Sequence, residues 1–307
     1  MNTTAPASAS ASTEPRPGHA PPVTGTLLPG PVRVTLFGLA HGLHARQIDA
    51  ERPPGDRVTD HLPLLREVFG VDTLPELVDA AYLTGVLPPP PPDPEPADLT
   101  DQAETAVLLT VQGRPTRTVA RRIGLTPDDT RALMVQVMRR LGAGTPAHLV
   151  TRARQLAVLH WIPGDGPVPM GRVRRELRTL RVRLQDPSLT DRAVVLRTGD
   201  HTNPLMARPA VPVGGSRQAG FLPVAAGAVP GIRRQLDARP QEFPRLGAHP
   251  SRTDRTAALL TWGTGLPTRD PRATARLLGY HTAGATAFHG ARRTPRPAPG
   301  RQAGGPV

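Results

Sequence analysis

The chain of 307 residues contains no cysteine, and this absence excludes disulfides, thiol catalysis and thiolate metal sites. Lysine is absent as well, so all 38 basic residues are arginine. Aromatic residues make up only 3%, whereas Pro and Gly number 39 and 30, a composition close to that of disordered chains. The sequence has neither a signal-peptide pattern nor an apolar run long enough to span a membrane, which predicts a cytoplasmic protein without membrane contact.

The net charge of +13 is typical of nucleic-acid-binding proteins, but arginine with abundant Ala, Gly and Pro is also what a GC-rich coding sequence produces. The distribution of the charge is more informative. Residues 1–150 contain 13 arginines and 16 acidic residues, whereas residues 151–307 contain 25 arginines and 9 acidic residues. The basic charge therefore lies largely in the C-terminal half.

The hydrophobic pattern predicts an all-α protein with two helical domains and long disordered tails. Residues 1–30 are predicted to be a disordered N-terminal tail, and residues 163–307 a basic, largely disordered C-terminal tail. Between them lie the helical segments 31–87 and 99–162, which we call the first and the second copy, joined by the proline-rich linker 88–98. Its five consecutive prolines favour polyproline II, which at about 3.1 Å per residue predicts a spacer of roughly 34 Å.

The C-terminal tail holds two further helical patterns. Residues 172–185 place valine and leucine at a helical period among arginines, which predicts a short amphipathic helix. This helix could lie on DNA, on an anionic surface or on a partner helix, or it could pack against the second copy. Residues 258–293 resemble the second copy weakly, with ATARLLG in the place of TVARRIG, and suggest a decayed third copy.

An internal repeat relates the first copy to the second. Gly42 and Arg46 match Gly113 and Arg117 at an offset of 71 residues. One residue is then missing from the first copy, and the offset becomes 72. At this offset, Asp56, Gly70, Thr73, Leu77, Val78, Ala81, Val86 and Leu87 match Asp128, Gly142, Thr145, Leu149, Val150, Ala153, Val158 and Leu159. These identities, together with the shared apolar period, indicate a duplication.

The second copy contains start and stop signals for four helices. Gly113, Gly124 and Gly142 are placed to end helices, and Thr126-Pro127 is a strong N-cap and first-turn pair. The predicted helices cover residues 100–112, 116–123, 127–141 and 145–159.

This order of parts resembles the C-terminal DNA-binding domain of LuxR/GerE-type transcriptional regulators. The resemblance covers residues 99–160 and rests on Leu99-Thr100, Gly113, Val119-Ala120, Ile123-Gly124 and Leu141-Gly142. It implies a four-helix, helix-turn-helix domain whose third helix, residues 127–141, enters the major groove of double-stranded DNA. The sequence departs from the family's usual residues at Thr118, Asp129-Thr130 and Leu133.

The resemblance also implies residue roles. Base contacts are predicted for residues of the third helix, because arginine can bond guanine and glutamine can bond adenine. These residues are Arg131, Val135, Gln136 and Arg139. Phosphate contacts are predicted for Thr116, Arg117 and Arg122. The family's fourth helix often forms a dimer contact, which here would use Leu149, Val150 and Ala153 on helix 145–159.

The first copy resembles the same family more loosely, through FGLAHGL, ARQIDA and VTDHLPLLREVFG. Asp56, Asp60 and Glu67 lie on or beside its third helix, where DNA phosphates would repel them. Pro63 falls inside that helix and is expected to break or kink it. We therefore interpret the first copy as one that does not read DNA and that serves packing or self-association.

The sequence thus predicts a DNA-binding transcriptional regulator. Two alternatives stay open: a protein–protein adaptor built from helix-turn-helix copies without sequence reading, and a sigma-factor region-four-like module. The partners considered for these functions are double-stranded DNA, a second copy of this chain and RNA polymerase. No phosphate-binding loop, nucleophile–base set or group of metal ligands stands out, so we expect no enzyme activity, cofactor or metal.

Overall fold

A computed structural model describes residues 28–162, 166–199, 206–251, 254, 256–264 and 270–281. In the described part of the chain eight helices come first, four in each copy. Those of the first copy are α1 Gly30–Ala40, α2 Ala45–Ala50, α3 Val58–Phe69 and α4 Leu74–Leu83. Those of the second copy are α5 Asp101–Val111, α6 Thr116–Ile123, α7 Pro127–Leu141 and α8 Pro146–Gln155.

Matching residues end and begin the helices of the two copies. Gly70 and Gly142 end α3 and α7 with φ values of 63° and 67°, in the left-handed region where glycine is favoured. Thr73 and Thr145 then cap α4 and α8 through their hydroxyl oxygens. The predicted range of α7 is confirmed, whereas α8 ends at residue 155 and not at 159 as predicted. The chain turns there because residues 159–162 enter a strand.

The two copies share one hydrophobic core. Leu36 and Leu77 of the first copy and Leu149 of the second are fully buried in the same cluster. The linker is folded along the end of α8, where Asp93 N donates to Gln155 O (2.8 Å) and Ala97 N donates to Leu156 O (3.0 Å). The linker does not hold the two copies apart, because burial of their apolar faces keeps them in contact.

Strands and further helices follow the second copy. Strand β1, Leu159–Ile162, pairs with β2, Gly166–Pro169, and helix α9 covers Gly171–Arg183. The remaining elements belong to two antiparallel sheets, ordered β3-β4 and β5-β7-β6, and two helices. They are β3 Val194–Arg197, β4 Ala207–Ala210, β5 Ala219–Ala225, α10 Val229–Asp237, β6 Gly247–Pro250, β7 Ala257–Gly263 and α11 Pro271–Leu277.

The predictions of an all-α fold and of a largely disordered tail are therefore wrong, since the described part of residues 163–307 holds six strands, three α-helices and two short 3-10 helices. Trp262 and Phe243 form the centre of this C-terminal core, with rings in edge-on contact 5.6 Å apart. The indole lies over Gly220, its partner across β5 and β7, where a Cβ would collide with the ring. A few large residues thus organise strands that are themselves short.

The predicted third copy is also wrong at its start, because the first helix expected in residues 258–293 is strand β7. Helix α11 follows, and residues beyond 281 lie outside the described part of the chain. Among the described residues, no helix combines the length and the apolar character needed to cross a bilayer.

Candidate nucleic-acid interface

The turn between α6 and α7 is built by local backbone signals. Helix α6 ends at Gly124, whose φ of 72° is in the left-handed region. The Thr126 hydroxyl accepts the N–H of Asp129 (3.1 Å) and donates to its carboxylate (2.7 Å), and Pro127 occupies the first helical position. The two helices are therefore joined by three residues, 124–126, and we call α6, this turn and α7 the α6–α7 unit.

Apolar side chains fix the angle between these helices from the inside. Val119 and Ala120 of α6 are buried, as are Val137 and Leu141 of α7. Leu133 and Met134 pack against this interior from one further turn of α7. Because the inner face of α7 is held at several levels, its outer face is presented at a fixed orientation.

All seven side chains predicted to contact DNA are exposed on the outer side of the unit. They are Thr116, Arg117, Arg122, Arg131, Val135, Gln136 and Arg139. Val135 is 53% exposed, whereas the other large apolar residues of this unit are buried or partly buried. An exposed valine beside Gln136 offers an apolar contact for a thymine methyl group next to a hydrogen-bonding amide.

The charge of this surface is strongly positive. Helix α6 carries three arginines and no acidic residue. In the described part of the chain, no carboxylate pairs with Arg117, Arg139 or Arg140. Arg131 pairs with Asp128, and both side chains are largely exposed, so a base or phosphate can replace this partner at little cost.

The three residues predicted to form a dimer contact lie in the interior of the chain. Leu149, Val150 and Ala153 are fully buried inside the chain, in the core that α8 forms with the first copy. Leu77 and Val78 of α4 are buried in the same cluster. A contact between two chains through these side chains would require α8 to leave α4, so the first copy occupies the surface predicted for a second chain.

His61 of α3 makes its contacts inside the first copy. His61 Nδ1 lies 2.9 Å from both Thr35 Oγ1 and Arg52 Nη1, and its Nε2 lies 2.8 Å from Asp56. Because arginine only donates, Nδ1 accepts and Nε2–H donates to the carboxylate. Of the break or kink expected at Pro63, a break is absent, because α3 continues through this residue. This network ties α3 to α1 and withholds His61 from the surface.

Helix α9 is fixed to the second copy by a buried carboxylate. Glu104 of α5, only 1% exposed, accepts the Gly171 N–H (2.8 Å) and pairs with Arg174 (3.2 Å). Arg175 and Arg178 of the same helix pair with Asp101 and Asp98. Of the placements left open by the sequence, packing against the second copy is therefore the one observed.

The C-terminal part of the chain is similar to a described family. Residues 174–306 match the model described as a family of unknown function (DUF6302). Both copies lie outside the residues matched to DUF6302, so this match concerns only the C-terminal part of the chain. No curated protein and no solved structure matches the chain.

Sequence reasoning missed the buried polar residues that join these parts. Glu104 and Asp79 look like ordinary helix-surface acids, because their partners are distant in sequence. The one available signal was a carboxylate beside strongly apolar neighbours, as in ETAVLL at 104–109. The described residues hold no group of three or more His, Asp or Glu suited to a metal ion.

The Glu104 contact predicts a pH-dependent stability. Burial raises the pKa of Glu104 from 4.5 to about 7, against the opposing effects of the Gly171 N–H and Arg174. Between these two values the folded chain holds a proton that the unfolded chain has lost. The free energy of unfolding therefore falls as the pH rises through this window, by about 3 kcal/mol from this carboxyl.

Glu104→Gln is expected to remove this contribution, since glutamine cannot ionise and still accepts the Gly171 N–H. Denaturant unfolding of the wild type and of Glu104→Gln, each at the two ends of this pH window, gives the difference between their free energies of unfolding. All other titrating groups contribute equally to both proteins and cancel in this difference. This difference should change by ~3 kcal/mol between the two pH values. A difference that is independent of pH would show that Glu104 titrates normally.

Proposed function

We propose that the chain is a sequence-specific DNA-binding transcriptional regulator that places α7 in the major groove of double-stranded DNA. The observation that carries this proposal is the two-sided construction of the α6–α7 unit. Its apolar side packs into the core, and its other side exposes arginine, glutamine and valine, with Arg131 paired to the exposed Asp128.

The exposed side chains suit distinct parts of a duplex. Arg131, Gln136 and Arg139 have the donors and acceptors that match purine edges in the major groove, and Val135 suits a thymine methyl group. Thr116 and Arg117 lie at the start of α6, where helix N–H groups and positive charge favour phosphate. The proposal places the protein in the cytoplasm, where it meets chromosomal DNA.

Selection of bound duplexes from a random pool, with the full chain at physiological salt, tests the proposal. We expect one enriched sequence whose affinity falls steeply with salt concentration. An adaptor without sequence reading would bind the pool uniformly or not at all, and that result would refute the proposal.

A further inference from the structure

The contact between α4 and α8 has the reciprocity of a two-fold axis. At the repeat offset of 72 residues, Asp79 corresponds to Thr151 and Tyr82 corresponds to Arg154. The Arg154 guanidinium donates to Asp79 (2.8 Å), and the Tyr82 hydroxyl is hydrogen-bonded to the Thr151 hydroxyl (2.9 Å). Exchanging the two copies converts the first pair of positions into the second. Such interchange is the mark of an isologous interface, in which both partners use the same surface.

A second set of contacts obeys the same rule. Gly42 corresponds to Gly113, and Glu76 corresponds to His148 at the offset of 72. Both glycines have positive φ, 85° and 68°. A Cβ on Gly42 would collide with the His148 ring, and a Cβ on Gly113 would collide with the Glu76 carboxylate. The end of α1 therefore meets the start of α8 just as the end of α5 meets the start of α4.

The interface occupies the apolar face of α8 that a second chain would need. Leu149, Val150 and Ala153 are fully buried in the core that the two copies share. The matching residues of the first copy, Leu77, Val78 and Ala81, are fully buried in the same core. Two-fold helix-turn-helix dimers ordinarily form this kind of contact between separate chains and read two half-sites. Here both halves belong to one chain.

The two halves differ in their suitability for DNA. Helix α6 carries three arginines and no acid, whereas its counterpart α2 carries one arginine and one aspartate. Glu67 of α3 is exposed where α7 exposes Arg139, and Asp60 is exposed where α7 exposes Ala132. Phosphates would repel the first copy, so only one half of the pair is suited to a duplex.

We propose that the first copy takes the place of a second subunit, and that a single chain binds one DNA site that lacks inverted symmetry. This inference rests on the proposed function and specifies its target, a duplex segment read by one α7 helix. The first copy contributes a rigid two-fold partner for α8 and no base contacts.

Stoichiometric titration of a duplex carrying the selected sequence tests the inference. Full-length chain is added to labelled duplex far above the dissociation constant, and fluorescence anisotropy and sedimentation velocity report the complex. We expect saturation at one chain per duplex, a monomeric free chain, and a selected sequence without an inverted repeat. Saturation at two chains, with half-sites centred about 10 base pairs apart, would overturn the inference and leave DNA reading intact.

A variant of the first copy provides the second readout. Asp60→Ala combined with Glu67→Ala changes two exposed positions of α3, and we expect this chain to select the same sequence as the wild type. Changed base preferences would show that α3 reads DNA and would also overturn the inference. A pool without any enriched sequence would instead refute the proposed function itself.

Discussion

Replacing Arg131 and Arg139 together by alanine is expected to weaken binding to the selected duplex by at least about 30-fold. Each bidentate arginine–guanine contact contributes ~1–3 kcal/mol of discrimination, so the loss of two corresponds to ~2 kcal/mol or more. Both side chains are exposed and neither is part of the core, so the variant should fold normally. Affinity measured by fluorescence anisotropy at one fixed salt concentration gives the comparison.

The matched control is Arg46→Ala with Arg66→Ala, which removes the same charge from two exposed positions of the first copy. Its affinity should stay close to that of the wild type, because screening confines the effect of a charge to about 8 Å at physiological salt. Equal losses in the two double variants would mean that overall charge, and not α7, drives binding.

Arg154→Ala is expected to lower the free energy of unfolding by about 3–5 kcal/mol. The guanidinium is stacked over the Trp161 ring at 3.8 Å and lies 4.8 Å from the centre of the Tyr82 ring. It also pairs with Asp79, whose pKa burial raises despite this partner. Without Arg154, the Asp79 carboxylate would remain buried with the Trp161 N–H (2.7 Å) as its hydrogen-bond donor. The contact joins the two copies, so its loss should loosen the whole pair.

Denaturant unfolding followed by tryptophan fluorescence measures this effect. Arg140→Ala, an exposed change on α7, serves as the control and should leave the free energy of unfolding nearly unchanged. Asp79→Ala combined with Arg154→Ala should cost less than the sum of the two single changes, since no lone charge is then buried. Additive costs would contradict a coupled buried pair.

Local signals explain why the boundaries of α6 and α7 were predictable. Gly124, Thr126 and Pro127 each fix the backbone through their own chemistry, and the predicted start and end of α7 agree with the structure. The apolar stripe of α7 likewise identifies its inner face without knowledge of the partner helix. These signals operate within a few residues, so the sequence displays them directly.

The C-terminal sheets were missed for the opposite reason. Their strands span four to seven residues and contain proline, glycine and alanine, such as AGFLPVA in β5. What holds them is a distant contact, since Trp262 packs over Gly220 and donates from its indole N–H to Val211 O (3.0 Å). Composition alone therefore suggested disorder where a few well-placed large residues form a core.

The internal pairing of the copies was not predictable for a related reason. An apolar face such as that of Leu149 and Val150 looks the same in sequence whether another chain or the first copy covers it. The deciding contacts, Arg154 with Asp79 and Tyr82 with Thr151, join residues 75 and 69 positions apart. Only the structure shows that exchanging the two copies converts the positions of one contact into those of the other.

Repeating the random-pool selection with Gln136→Ala tests the central claim, that the outer face of α7 reads base edges, most directly. Gln136 is exposed on α7 and makes no core contact, so the substitution should change recognition without unfolding the chain. We predict that the variant loses its base preference at one position of the site, because a glutamine–adenine contact is removed, and keeps the preferences at the others. Identical preferences in the two proteins would contradict the claim.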